Sequence, residues 1–279
     1  MNINYRTYEL LKLWNKDKAI KFYLKRYLYV TKLAKREAEL TEISETKNNN
    51  YVWTMWLQDD VPEICRFCIN TIKEKYPQTI VITEKNVHQY VEVPDYIMKK
   101  YKNGSMKACH FSDYVRMNLL DKYGGTWIDA TCFLTQPIPK FIMNSEFFLL
   151  RNMESGAISN YFIHSERNNY ITKCMRIFLE EYWKSTPKAI HYFFFHRFLV
   201  RVLVKRDEKT RKIYEKMPIS SNLNTKMMLE LLSKEFNTEI FEWLCQTSYI
   251  HKLSYKQKWI KDTPDSLYTH LINSTKIGI

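Results

Sequence analysis

Asp129 closes the run Phe111–Thr131, FSDYVRMNLLDKYGGTWIDAT, whose order of residue types delivers a carboxylate to the place where ligands bind. Tyr114, Val115, Met117, Leu119 and Leu120 keep one helical face apolar, and the Ser112 hydroxyl can cap the first free amides, which puts Asp113 in the first turn. Gly124 and Gly125 end that helix, since glycine accepts a left-handed backbone without a Cβ clash. Thr126, Trp127 and Ile128 then resume as a β-prone run. Asp129 therefore stands at the carboxyl end of a strand, and in open α/β sheets the ligand crevice lies outside those ends.

The elements that must carry such a strand can be read upstream and downstream. After the polar break Thr46–Asn50, Tyr51–Leu57 reads as a first strand. Asp59 and Asp60 open a helix at Pro62 that runs to about Tyr76, where Pro77 closes it. Thr79–Thr83, TIVIT, has the uninterrupted β-branched character of a strand buried on both faces of a parallel sheet, which makes a right-handed strand–helix–strand crossover. Phe133–Pro139 reads as an extension and Glu146–Arg151 as a short strand, followed by the segment Gly156–Asn169, to which no element is assigned, and a helix Tyr170–Trp183.

Ser112, Asp113, Arg116, Leu119, Leu120, Tyr123, Gly124, Gly125, Trp127, Ile128 and Asp129 together resemble the capsular polysaccharide synthesis protein family, which is related to the DXD-containing sugar transferases. Trp53–Gln58 with Pro62, and the late HKLSYK segment, His251–Lys256, extend the resemblance over about four-fifths of the chain. It implies a nucleotide-sugar-dependent glycosyltransferase of α/β class with a GT-A, Rossmann-like fold: a mostly parallel central sheet and flanking helices. Trp56, Gln58 and Asn86 would border the base and ribose, with plain turn chemistry as the competing role for Lys85 and Asn86. Ser112, Asp113, Arg116, Gly125, Asp129, Thr131 and Lys252 would complete the nucleotide-sugar site. Asp129 would hold the ribose and any metal, and Asp113 would orient the nucleotide or donor sugar, unless Arg116 one turn away simply pairs with it. Ser159 and Asn160, with His164 behind them, would line the sugar and acceptor; for a lone histidine a satisfied structural role competes. His251 would reach the metal and Lys252 the diphosphate, with Lys256 as the alternative phosphate partner. A cation there stabilises the charge that develops as the glycosidic bond breaks.

The wider DXD group has a second carboxylate two residues after the first, where this chain has Thr131. A threonine hydroxyl is a poor substitute on Mn²⁺ or Mg²⁺, which prefer charged oxygen ligands. Metal dependence is left open, and Asp129 with His251 would be the ligands.

Composition bounds the alternatives. The chain has 279 residues, 45% of them hydrophobic, with five glycines and no low-complexity tract or repeat, so it can bury a core. No stretch approaches the roughly 20 apolar residues of a membrane span, and the first residues lack an apolar signal core, so a cytoplasmic protein is expected. Six cysteines are then free thiols by default, and Cys65 and Cys68 read as two small buried residues one helical turn apart rather than as a zinc or redox pair. The formal charge of +13 calls for an anionic partner. Residues 1–36 carry ten Lys or Arg against Glu9 and Asp17, interleaved with aromatic and aliphatic residues, as a helix hairpin would on an anionic membrane or packed on the catalytic domain. A second basic run, Arg197–Lys216, reads as a solvated helix and loop.

The expected organisation is a basic amphipathic helical segment, 1–48, followed by a glycosyltransferase domain, 49–279. The expected function is sugar transfer, with retention, from a nucleotide diphosphate donor, a UDP-sugar first, to a hydroxyl of a lipid-linked capsular repeat unit. The protein would sit peripherally on the inner face of the plasma membrane. The alternative is a catalytically silent membrane-surface adaptor. Nucleic acid is not expected as a partner, since no zinc-finger or RNP pattern is present.

Overall fold

The computed structural model describes residues 5–40, 51–152, 155–221, 223–256 and 264–274, with the side chains of the first helix from residue 23 onward. The polar break Thr46–Asn50, and with it the expected boundary at 48, lies outside the described residues. The chain divides into two compact units that interleave along the sequence: 1–45, 93–121 and 168–216 form the first, and 46–92, 122–167 and 217–279 the second.

The first unit is helical. One continuous helix, Tyr5–Leu40, replaces the expected hairpin, because no glycine or proline interrupts the run. It packs on the helix Tyr170–Ser185, where Tyr23 meets Phe178 at 6.1 Å and Phe178 stacks on Phe198 at 3.6 Å. Charges cross the same contact. Arg176 donates to Asp121 at 2.7 Å and pairs with Glu37 and Glu180, while Lys173 lies 3.3 Å from Asp121. Asp121 and Lys173 are its buried members, and removing Asp121 would leave the Lys173 ammonium without its nearest counter-charge.

The second unit holds a five-stranded sheet in the order β2-β1-β3-β6-β5, made of β1 (Val52–Met55), β2 (Ile80–Ile82), β3 (Gly125–Ile128), β5 (Phe147–Arg151) and β6 (Ile158–Ser165). β1 pairs parallel with β2 and β3, whereas β6 runs antiparallel to β3 and to β5, so four of the five strands point the same way. This is the mixed α/β architecture, with a mostly parallel central sheet and flanking helices, that the sequence led one to expect. A two-stranded antiparallel sheet of β4 (Cys132–Leu134) and β7 (Ile250–Lys252) adjoins the end of β3 through the turn Asp129–Thr131.

Local expectations change. TIVIT forms the edge strand β2, in which Ile80 and Val81 are partly exposed and only Ile82 is buried. The segment after Gly156, to which the sequence assigns no element, forms the eight-residue strand β6. Its Ser and Asn mask an otherwise β-prone run. The helix before the glycine pair spans Ala108–Tyr123, so Ser112 stands a full turn inside it and Asp113 is not in its first turn.

The core beneath the small sheet gathers Ile64, Cys65, Phe67 and Cys68 of the helix Glu63–Lys75 with Phe133, Leu244, Leu253, Leu267 and Leu271. Cys65 and Cys68 are free and buried, as expected of small residues one turn apart. Burial pushes the Cys65 thiol up to about 12 and the Cys68 thiol well above its ordinary value, whereas Cys109 is exposed. Thiolate is the reactive form, so a thiol reagent at pH 8 labels Cys109 first in the native protein, and Cys65 and Cys68 only after unfolding. Peptide mass mapping checks the order; early labelling of Cys65 or Cys68 would contradict this packing.

Candidate active site

Trp127 and Asp129 stand at the spacing of two residues that keeps extended side chains on one face, and the turn Asp129–Thr131, closed by Cys132 N donating to Asp129 O at 2.9 Å, brings Thr131 back beside them. The consequence is a fixed carboxylate. Trp127 Nε1 donates to Asp129 Oδ1 at 2.8 Å, and Lys252 Nζ donates to Asp129 Oδ2 at 2.7 Å and to Thr131 Oγ1 at 2.6 Å. The backbone closes the same corner: Asp129 N donates to Tyr161 O at 2.8 Å and Leu253 N to Thr131 O at 2.8 Å. Lys252 arrives there because β7 pairs with β4 in the register Cys132↔Lys252, which sets its side chain beside the residues just before β4.

Tyr161 forms the next wall. Lys252 Nζ lies 5.1 Å from the centre of its ring, and its hydroxyl shares a 2.6 Å hydrogen bond with Thr225. Burial pushes the phenol up to about 12, so it stays protonated at neutral pH. Ser159 and Asn160 open β6, next to the carboxyl end of β3, as the antiparallel pairing of the two strands requires. Both Asp129 and Lys252 keep 23% of their side chains exposed, so this corner is open to a ligand. Trp56, just past β1, donates from Nε1 to Asp60 O and meets Tyr255 of the late segment edge-on at 5.1 Å. Gln58 is exposed beyond it, and Lys256 Nζ lies 5.5 Å from the Tyr255 ring. The second unit thus brings Trp56, Asp129, Thr131, Ser159, Asn160 and Lys252 to the end of the sheet where parallel-strand crevices bind ligands.

Other expected residues stand elsewhere. Gly125 begins β3 and lies about 13 Å from Asp129 at the usual rise per residue, so its role is backbone packing rather than ligand contact. Asn86 spends both ends of its side chain on a turn, accepting from Thr83 N at 2.8 Å and donating to Val81 O at 2.9 Å, which is the competing role weighed for it. His164 pairs in register with Thr126, toward the amino end of β3, and its Nδ1 shares a 2.8 Å hydrogen bond with Thr126 Oγ1; burial holds its pKa down at about 4. His251 alternates with Lys252 and faces the core. Its Nε2 donates to Leu244 O at 3.1 Å, its ring lies 6.3 Å from that of Phe133, and burial holds its pKa down at about 4.

A divalent ion does not fit this donor set. Mn²⁺ and Mg²⁺ want several hard, charged oxygens. Here Asp129 offers one carboxylate whose two oxygens already accept hydrogen bonds, Thr131 offers a neutral hydroxyl, and His251 is turned away. An ammonium already lies between Asp129 and Thr131, and a second cation about 4 Å away would face roughly 4 kcal/mol of repulsion per unit charge. Among the described residues no group of three or more His, Cys, Asp or Glu could hold a metal ion.

The first unit carries Asp113 in a separate buried polar cluster. Asp113 lies 3.6 Å from Arg116 and 3.7 Å from His110, and Arg116 also donates to Ser112 Oγ at 2.9 Å. The Ser112 hydroxyl, expected to cap the helix, instead accepts from the residue one turn on. His110 lies against Trp183, Tyr192 and Phe194, and His196, near Asp113, is held down at about 4 by burial. The i, i+3 pairing of Arg116 with Asp113 weighed from the sequence is present. Trp127 and Tyr161 are the site neighbours that sequence reasoning missed. The spacing of Trp127 to Asp129 could have flagged the first; nothing local could have flagged the second.

Solved structures similar to the chain include two glycosyltransferases. One is the PaToxG glycosyltransferase, with 16% identity, 74% of this chain and 85% of that chain covered and a TM-score of 0.38. The other is a glycosyltransferase involved in the glycosylation of the major capsid of PBCV-1, with 8% identity, 81% and 98% coverage and a TM-score of 0.38. No curated protein matches the sequence. Residues 4–271 match the capsular polysaccharide synthesis protein family, and the chain belongs to that family.

Proposed function

We propose that the protein is a glycosyltransferase that moves a sugar from a nucleotide diphosphate donor to a hydroxyl of a lipid-linked saccharide repeat unit. The observation that carries this reading is the Asp129 carboxylate, held from two sides at the carboxyl end of β3 with a lysine ammonium beside it. Family membership supports the polysaccharide setting. Asp129 holds donor hydroxyls, the ribose first. Lys252 faces the diphosphate, Trp56 and Gln58 border the base, and Ser159 and Asn160 face the sugar. In the reaction the bond from the anomeric carbon to the β-phosphate oxygen breaks with its electron pair on the diphosphate. The acceptor oxygen bonds to that carbon from the face the diphosphate leaves, so configuration is retained, and the hydroxyl proton passes to the departing phosphate oxygen. Cationic donors beside that phosphate lower the barrier most, because charge grows there.

A UDP-sugar is the first donor to test. The first helix leaves Leu28 and Tyr29 70% and 46% exposed among exposed Lys25, Lys32, Lys35 and Arg36, which supports contact with an anionic membrane surface where the lipid-linked acceptor resides. No helix among the described residues is long and apolar enough to cross a membrane. Calorimetric titration with UDP, GDP, CDP and their sugars tests the reading: one nucleotide binds. Silence across the panel would replace it with the adaptor role.

A further inference from the structure

We infer that the Lys252 ammonium is the resident cation of this site, standing between residues 129 and 131 where the DXD arrangement would hold a metal, and that the protein binds its nucleotide diphosphate without a divalent ion. The inference rests on the nucleotide-diphosphate reading above and deepens it. Three observations carry it together.

First, the ammonium bridges the two side chains of the D-x-T sequence, at 2.7 Å from Asp129 Oδ2 and 2.6 Å from Thr131 Oγ1. These are short, charge-assisted contacts. Secondly, Thr131 at this position is a ligand for an ammonium rather than for Mn²⁺. A neutral hydroxyl accepts from an N–H without adding negative charge, so Thr131 leaves the charge balance of the Asp129–Lys252 pair unchanged. A second carboxylate at 131 would over-neutralise one ammonium and would call for a doubly charged ion. Thirdly, the ammonium is held from behind and is open in front. Tyr161 sets its ring face 5.1 Å away, itself fixed through Thr225, while 23% of the Lys252 side chain remains exposed. A lysine so positioned meets an incoming phosphate oxygen as a point charge with rotatable donors and needs no exchange of metal-bound water.

The test is calorimetry with UDP, GDP and CDP, each against its monophosphate, in EDTA and in MnCl₂, on wild type, Lys252→Met and Lys252→Arg. The expected result is a diphosphate whose affinity is the same in EDTA and in MnCl₂. It falls at least about tenfold in Lys252→Met, which also loses the preference for diphosphate over monophosphate, and it stays within about threefold in Lys252→Arg. Binding that requires MnCl₂ would overturn the inference while leaving the nucleotide reading standing. So would a Lys252→Met variant that keeps the diphosphate preference. Silence of all three diphosphates in both buffers would overturn the inference and the nucleotide reading together. The wild-type comparison of the two buffers decides the matter even where a variant fails to fold.

Discussion

Asp129→Asn lowers kcat/KM for sugar transfer by about 10²–10³-fold, with the donor that the nucleotide panel identifies, and leaves the melting temperature within a few degrees of wild type. The substitution separates charge from shape. An asparagine oxygen still accepts from Trp127 Nε1, which lies 2.8 Å from Asp129 Oδ1, so the strand end keeps its packing. What changes is the other side. The amide nitrogen takes the place of the oxygen that accepts from Lys252 at 2.7 Å, and two donors then face each other. The lysine loses its counter-charge, its direction, and the partner that sets it beside the phosphate. A variant within about threefold of wild type in kcat/KM would remove Asp129 from the site.

The position of Asp129 was legible because it depends only on neighbours in sequence. A helix, a glycine pair and a β-prone run fix where the strand ends, and the spacing of two from Trp127 to Asp129 fixes a shared face. Lys252 is expected by resemblance to reach the diphosphate, yet its ion pair with Asp129 was not legible. It depends on the register of β4 with β7, a pairing across more than a hundred residues that no local pattern specifies. The same cause hid Tyr161 and reversed the expectation for His251: alternation along β7 sends adjacent residues to opposite faces, and only the register decides which of them meets Asp129.

Other differences have physical reasons of their own. Ser112 is a competent cap by type, but the apolar pattern continues upstream through Phe111 and His110, both buried, and the helix extends to Ala108. TIVIT has the composition of a central strand, yet sheet order is set by which faces are covered, and β2 ends at the edge. The interleaving of the two units was likewise out of reach. It arises because the helix Tyr5–Leu40 buries Tyr23, Val30 and Ala34 in the unit that also holds the helix Tyr170–Ser185, and that choice is made by shape at long range.

Gly125→Ala destabilises the protein by about 4 kcal/mol, which in a chain of this size lowers Tm by roughly 8–16 °C. The glycine pair stops the helix, and its second member carries a harsher constraint. Gly125 has φ +97°, and a Cβ built on it would lie 2.3 Å from Tyr51 O and 2.9 Å from Tyr51 Cβ. Neither atom can retreat. Tyr51 O accepts from Thr126 N at 2.8 Å, which starts the β1–β3 pairing, and the Tyr51 ring lies tilted against Trp53 at 5.1 Å. The backbone of β1 would have to move away from β3, at the strand pair that leads to Trp56 on one side and Asp129 on the other. Gly104 supplies the control. It too has positive φ, +77°, but nothing lies within 4 Å of its hypothetical Cβ. Gly104→Ala therefore meets only the left-handed backbone penalty, about 1–2 kcal/mol. Thermal denaturation of the two variants side by side separates steric conflict from backbone strain. Equal shifts in Tm would mean that Tyr51 does not approach Gly125 as closely as this packing requires.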